Sequence, residues 1–224
     1  HDNNSKNNNQ NNDNNENQNN KKTQVTMKEL SDSYKKNTDY RFATYGCSGG
    51  YCVNDFSNLN ELLTEDNKRN IWLTTFTITD DDLCDKLNEE EYPPVCYTSA
   101  SKYENWAYEL YGITNVKEYL KEYYIKIDEF EGYLSPEGLG DGRTLNIIAD
   151  VKQEGKIATV IIYQLDMKGR DFYDIEDRDY DLDEIYDICT IIDTKWEKLD
   201  SDNYRFISKK STILKANPDD LYEE

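Results

Sequence analysis

From Thr144 onward apolar residues recur at every second position, and no other feature of the chain restricts its fold so tightly. In TLNIIADV, Leu145, Ile147, Ala149 and Val151 alternate with polar neighbours, the spacing of a strand with one buried face. KQEGK supplies a hairpin turn, and IATVIIYQL is apolar on both faces, as a strand in the middle of a sheet is. EIYDICTIIDTKWEKL and NYRFISKKSTILK, joined at Asp200-Ser201-Asp202-Asn203, form a second hairpin with Trp196 near its turn. Four strands in hairpin succession predict an antiparallel meander, with Ile161 at the centre of its middle strand and buried on both sides.

Upstream the period lengthens. SASKYENWAYELYG places Tyr103, Trp106, Ala107 and Leu110 on one helical stripe, with Ser101 and Glu104 at capping-box spacing and Gly112 placed to end the helix. A further helix begins near Asn115 with Val116, Tyr119, Leu120 and Tyr123 inward, and YYIKIDEFEGYL turns extended toward its end. Ser57 caps a helix through LNELLTEDNKRN, and TMKELSDSYKKN is weakly helical. TDYRFATYG reads as a strand, as does Ile71 to about Thr79, where β-branched and aromatic residues crowd. DDDLCDKLNEEEYPP reads as a solvated acidic loop closed by Pro93 and Pro94. Helices first and a meander last predict an α+β fold, an antiparallel β-meander sheet with helices packed on one face. It occupies residues 23–224 as one domain.

Residues 1–22, HDNNSKNNNQNNDNNENQNNKK, contain no aliphatic or aromatic side chain. Burial has nothing there to set against chain entropy, so a disordered Asn-rich tether is expected, with an r.m.s. span of roughly 25 Å. Acidic residues outnumber basic ones 46 to 26, for a net charge of −20. That charge repels nucleic acid and anionic headgroups, so neither is an expected partner. Tyrosine dominates the aromatics, 19 against 6 Phe and 3 Trp, which suits half-buried strand positions or a contact face where the ring is covered and the hydroxyl wet.

The five cysteines are Cys47, Cys52, Cys84, Cys96 and Cys189. Their spacing does not fit zinc, because CSGGYC has four intervening residues and the chain's one histidine is His1. In an exported protein Cys47 and Cys52 close a disulfide across a tight turn, and Cys84 and Cys96 close the DKLNEEEYPPV loop, leaving Cys189 as a thiol. In the alternative all five are reduced and half-buried. With no histidine inside the domain, Ser-His-Asp and Cys-His catalysis are excluded, and no carboxylate pair stands out from the abundance of acids. Asp177, Asp179, Asp181 and Asp183 in DIEDRDYDLDE are a weak calcium candidate. Leu182 and Ile188 occupy the positions of the EF-hand glycine and bidentate glutamate, so a water-facing edge is expected there. No cofactor is implied.

The Asn-rich spacer, the Cys-containing strand, the LLTEDNK helix, the helix ending in ELYG and the WEKLDSDNYRFISKK hairpin together resemble the uncharacterised extracytoplasmic lipoproteins of Firmicutes-type bacteria. The resemblance covers about residues 40–215 and carries no catalytic set. It implies a lipidated cysteine upstream of His1, the chain's membrane attachment, at the outer face of the cytoplasmic membrane. The expected function is a tethered extracytoplasmic binding or adaptor module whose acidic, Tyr-rich face recognises a basic protein or a cell-wall component. The alternatives are a carboxylate-dependent cell-envelope hydrolase and a proteinaceous inhibitor of such hydrolases.

Overall fold

The computed structural model describes residues 33, 41–48, 51–79, 83–136, 144–166 and 188–215. Residues 1–22 and the stretch carrying Asp177, Asp179, Asp181 and Asp183 lie outside the described residues. The described chain opens with a helical turn, α1 (Arg41–Thr44), and a two-residue antiparallel pair, β1 (Cys47–Ser48) and β2 (Tyr51–Cys52). Then come α2 (Leu59–Leu62), α3 (Lys68–Thr74) and 3-10 turns at Glu65–Asn67 and Thr75–Ile78. β3 (Lys86–Asn88) and β4 (Val95–Ser99) lead into α4 (Ala100–Tyr111), α5 (Val116–Tyr119), β5 (Tyr124–Ile127) and β6 (Phe130–Leu134). The chain closes with β7 (Thr144–Glu154), β8 (Ile157–Asp166), β9 (Ile188–Lys198) and β10 (Tyr204–Lys215).

The fold is α+β. The four C-terminal strands pair in the order β10-β9-β8-β7, all antiparallel, which is the predicted meander. Ala158, Val160 and Ile162 of β8, Ile192 and Trp196 of β9 and Phe206 of β10 are buried on its core face. Trp196 is fully buried, stacked on Phe206 at 4.0 Å between ring centroids and flanked by Phe42 at 5.5 Å. Its indole N–H donates to Thr194 Oγ1, which in turn donates to the Val160 carbonyl, so no polar atom of this centre goes unpaired.

Ile161 is not buried on both sides. It is half-exposed, and its register partners are Asp150 on β7 and Asp193 on β9, both in solvent. Over this stretch the meander has one covered face. The alternation read for β7 also breaks, because a bulge between Ile148 and Asp150 shifts the register. Ahead of the bulge Ile147 and Ile148 are both buried, one on each face opposite the buried Tyr163 and Ile162, while Val151 beyond it faces water.

A second four-stranded antiparallel sheet, β3-β4-β6-β5, lies upstream, and α4 packs against both sheets. On one side Tyr103 stacks on Tyr133 of β6 at 4.5 Å, and at the far end of the helix Tyr111 meets Phe206 at 6.5 Å. Gly112 ends the helix in the left-handed region, φ 75°, as its position predicts. The Ser101–Glu104 box does not form. The cap position is Ser99 and the helix starts at Ala100, two residues earlier than a Ser101 cap requires, and Glu104 instead accepts the Tyr133 hydroxyl at 2.8 Å.

Two predicted strands are helical. In α1, Phe42 and Ala43 are buried side by side, which a strand of alternating faces does not allow. Along 68–78, Ile71, Trp72, Leu73, Phe76 and Ile78 are all buried, and burial on every side overrides the β preference of the threonines. Thr74 and Thr75 turn their hydroxyls back to the carbonyls of Asn70 and Ile71, at 2.6 and 2.7 Å, a helical way of satisfying them. The cap of α2 is Asn58 rather than Ser57: Asn58 Oδ1 accepts from the Asn60 and Glu61 amides, and Glu61 reaches back to the Ser57 amide and hydroxyl. Finally, β3 lies inside the stretch read as an acidic loop.

Candidate functional site

Both anticipated disulfides are present. Cys47 and Cys52 face each other across β1–β2 with Cα atoms 4.1 Å apart, and Cys84 joins Cys96 with Cα atoms 5.3 Å apart. The second closes the hairpin that carries Tyr92, the most exposed large hydrophobic side chain among the described residues. β3 and β4 pair with Leu87 opposite Cys96 and Asn88 opposite Val95, so residues 89–94 form the hairpin tip. The tip carries Glu89, Glu90, Glu91 and Tyr92, and the Tyr92–Pro93 peptide is cis. Tyr92 is 100% exposed and Leu87 50%. For a side chain as large as tyrosine, full exposure places the whole apolar ring in water.

Hydrogen bonds fix the base and shoulder of this hairpin. Thr98 and Ser135 both donate to the Leu83 carbonyl at 2.5 Å, and their hydroxyls lie 2.9 Å apart. Asp85 accepts the Ser99 amide at 2.8 Å and the Lys102 ammonium at 3.2 Å. Burial opposes its ionisation, but the Ser99 amide and Lys102 outweigh burial and hold the carboxyl below its usual range. Nearer the tip, Asn88 accepts the Glu90 amide and donates to Glu91 Oε1 at 3.1 Å, an Asx-type turn. Burial and the Glu91 carboxylate raise the pKa of the Tyr97 phenol beneath. Glu91 is thus folded inward, while Tyr92 points out with Glu89 and Glu90 beside it.

A second locus lies under β1–β2. There a cavity of about 10 Å3, enough for a single water, is lined by Phe42, Tyr45, Gly46, Cys47, Asn146 and Lys209, among others. Lys209 Nζ donates to the Val53 carbonyl at 2.6 Å. Burial lowers the pKa of this ammonium, with Asp55 opposing the shift. Gln164 Nε2 lies 3.6 Å from Cys52 Sγ.

A third cluster sits on the β5–β6 hairpin, where Glu131 meets Lys126 at 2.9 Å and Lys117 at 3.4 Å. The Tyr124 hydroxyl is buried and meets no hydrogen-bond geometry. It still lies close enough to favour the Glu131 carboxylate, which Tyr124, Lys126 and Lys117 together hold at about 2.

The structure therefore pairs the four cysteines singled out from the sequence and leaves the two pairs apart. Among the described residues no three His, Cys, Asp or Glu side chains converge as a metal site. Lys209 and Gln164 were not legible as site residues, since each sits in a strand pattern that explains it without a role. Tyr92 had a signal in EEEYPP, flanked by cysteines. Comparison with known proteins found no matching family model, no matching curated protein and no matching solved structure.

Proposed function

We propose that this chain is a tethered extracytoplasmic binding or adaptor module that recognises a basic partner protein through the Tyr92 hairpin. The observation that carries the reading is the fully exposed Tyr92 ring on a disulfide-closed, hydrogen-bonded hairpin beside Glu89 and Glu90. Covering such a ring on association buries a large apolar area while its hydroxyl can stay bonded, and tyrosine is enriched among residues that dominate binding energy. The neighbouring glutamates and the net charge of −20 favour a cationic partner and speed its approach. Holding the tip in one conformation before binding reduces the entropy lost on association. Two disulfides suit an oxidising compartment, which supports the exported location.

The test immobilises the protein and passes Lys/Arg-rich and Asp/Glu-rich peptides of equal length over it. Binding of the cationic set alone is expected, weakening as salt rises. Tyr92→Ala should lower affinity by about tenfold or more, whereas Tyr108→Ala, also an exposed tyrosine but on α4, should not. Equal binding by wild type and Tyr92→Ala, or indifference to peptide charge, would refute the proposal.

A further inference from the structure

We propose that Cys47–Cys52 is a redox-active disulfide that exchanges with a protein dithiol, Cys52 being the sulfur that leaves. The first support is a donor aimed at that sulfur. Asn146 Nδ2 donates to the Ala43 carbonyl at 3.0 Å, which leaves Asn146 Oδ1 as an acceptor, and Gln164 Nε2 donates to it at 3.0 Å. This amide relay dictates which end of Gln164 faces Cys52, so its second N–H points at Sγ from 3.6 Å. A disulfide sulfur is a poor acceptor and a thiolate a strong one, so the contact gains strength when the S–S bond opens.

The second support is a cation. Lys209 borders the same water-sized cavity as Cys47 and Asn146, and the carbonyl that anchors its ammonium belongs to Val53, the residue after Cys52. A cation bordering the clasp favours thiolate over thiol on reduction; the choice of Cys52 over Cys47 rests on Gln164. The third is that the segment does not depend on the bond for its position. Val53 N–H donates to the Gly46 carbonyl at 3.0 Å, Phe56 and Lys209 exchange backbone hydrogen bonds of 3.0 and 2.9 Å, and Asp55 accepts the Ser211 amide and hydroxyl at 2.8 and 2.7 Å. Cross-linking residues only 5 apart also restricts the unfolded chain less than the 12-residue separation of Cys84 and Cys96. Both Cys47 and Cys52 keep partial exposure. The clasp can therefore open and close with its ends held in place.

In the exchange, a thiolate of the partner attacks Cys47 Sγ, the S–S bond breaks, and its electron pair leaves on Cys52 Sγ beside Gln164. The partner's second thiolate then attacks the partner sulfur of the mixed disulfide and releases Cys47. The partner dithiol loses two electrons and becomes a disulfide, Cys47–Cys52 gains them, and the two partner protons end on Cys47 and Cys52.

Titration of the wild-type protein with defined ratios of reduced to oxidised dithiothreitol, followed by alkylation and mass spectrometry, should show Cys47–Cys52 opening at a ratio at least tenfold lower than Cys84–Cys96, with little change in melting temperature. Simultaneous opening, prior opening of Cys84–Cys96, or a large fall in melting temperature on reduction of the clasp would overturn the proposal. In single variants, the pH midpoint of iodoacetamide alkylation should be lower for Cys52 in Cys47→Ser than for Cys47 in Cys52→Ser. Gln164→Leu should raise the Cys52 midpoint by about one pH unit and leave that of Cys47 unchanged. Equal midpoints, or no response to Gln164→Leu, would reject Cys52 as the leaving sulfur. If the variants fail to fold, the wild-type titration alone decides.

Discussion

Trp196 anchors the core face of the meander by filling space and satisfying its own polar atom, stacked on Phe206 and bonded to Thr194. Trp196→Ala should cost about 3–5 kcal/mol in urea unfolding, while Ile161→Ala, at a half-exposed position between Asp150 and Asp193, should cost clearly less than a fully buried isoleucine. Gly46 sits beneath the same rings with φ 76°, and a Cβ there would meet the Phe206 ring at 2.6 Å. Gly46→Ala should thus cost about 1–3 kcal/mol, from backbone strain and from the ring it displaces.

Two ionisable residues give opposite pH signatures. The folded pKa of Lys209 lies below its unfolded value, so the unfolded chain binds more protons in between. Stability therefore rises as pH climbs through the lowered value toward 10.5. The stability of Lys209→Met relative to wild type should be highest at neutral pH and shrink in alkali; a flat difference would show that the ammonium is not desolvated. Glu131 runs the other way. Its folded value of about 2 against 4.5 means that its contribution is present above 4.5 and lost as pH falls toward 2. Glu131→Gln should be less stable than wild type at pH 6 and equal to it near pH 2.

At the scale of elements, what could be read in advance was whatever carried its own period and punctuation. The meander alternates and turns at Gly155 and at Asp200–Asn203, and α4 has a stripe and a terminal glycine, so neither needs distant contacts to declare itself. The segments misread are short and surrounded. α1 and the helical run 68–78 take their form from aromatic partners far along the chain, such as Trp196 against Phe42 and Tyr103 against Phe76, and local β preference gives way to that packing. Of the second sheet only the extended end of YYIKIDEFEGYL was legible; β3 is three residues long within an acidic run and is held by Cys84–Cys96 and by Asp85. Replacing Cys84 and Cys96 by serine should accordingly speed amide exchange in 86–97 while leaving β8 and β9 as protected as before. Loss of protection throughout would show that the sheets unfold as one unit.

Among the described residues a cluster of buried side chains runs from Phe42 to Phe206, with α4 in contact with both four-stranded sheets. The hairpin tip stands outside that cluster, so altering it should change recognition without changing stability. Tyr92 lies in the stretch that the sequence marks as a solvated acidic loop, which anticipates exposure but not that its ring would be the side chain left fully in water. The most direct measurement is an amide chemical-shift titration of the isotope-labelled protein with the tightest-binding Lys/Arg-rich peptide. Saturable shifts confined to about residues 86–95 and lost in Tyr92→Ala are the expected result; shifts centred elsewhere, or none that saturate, would contradict recognition through this hairpin.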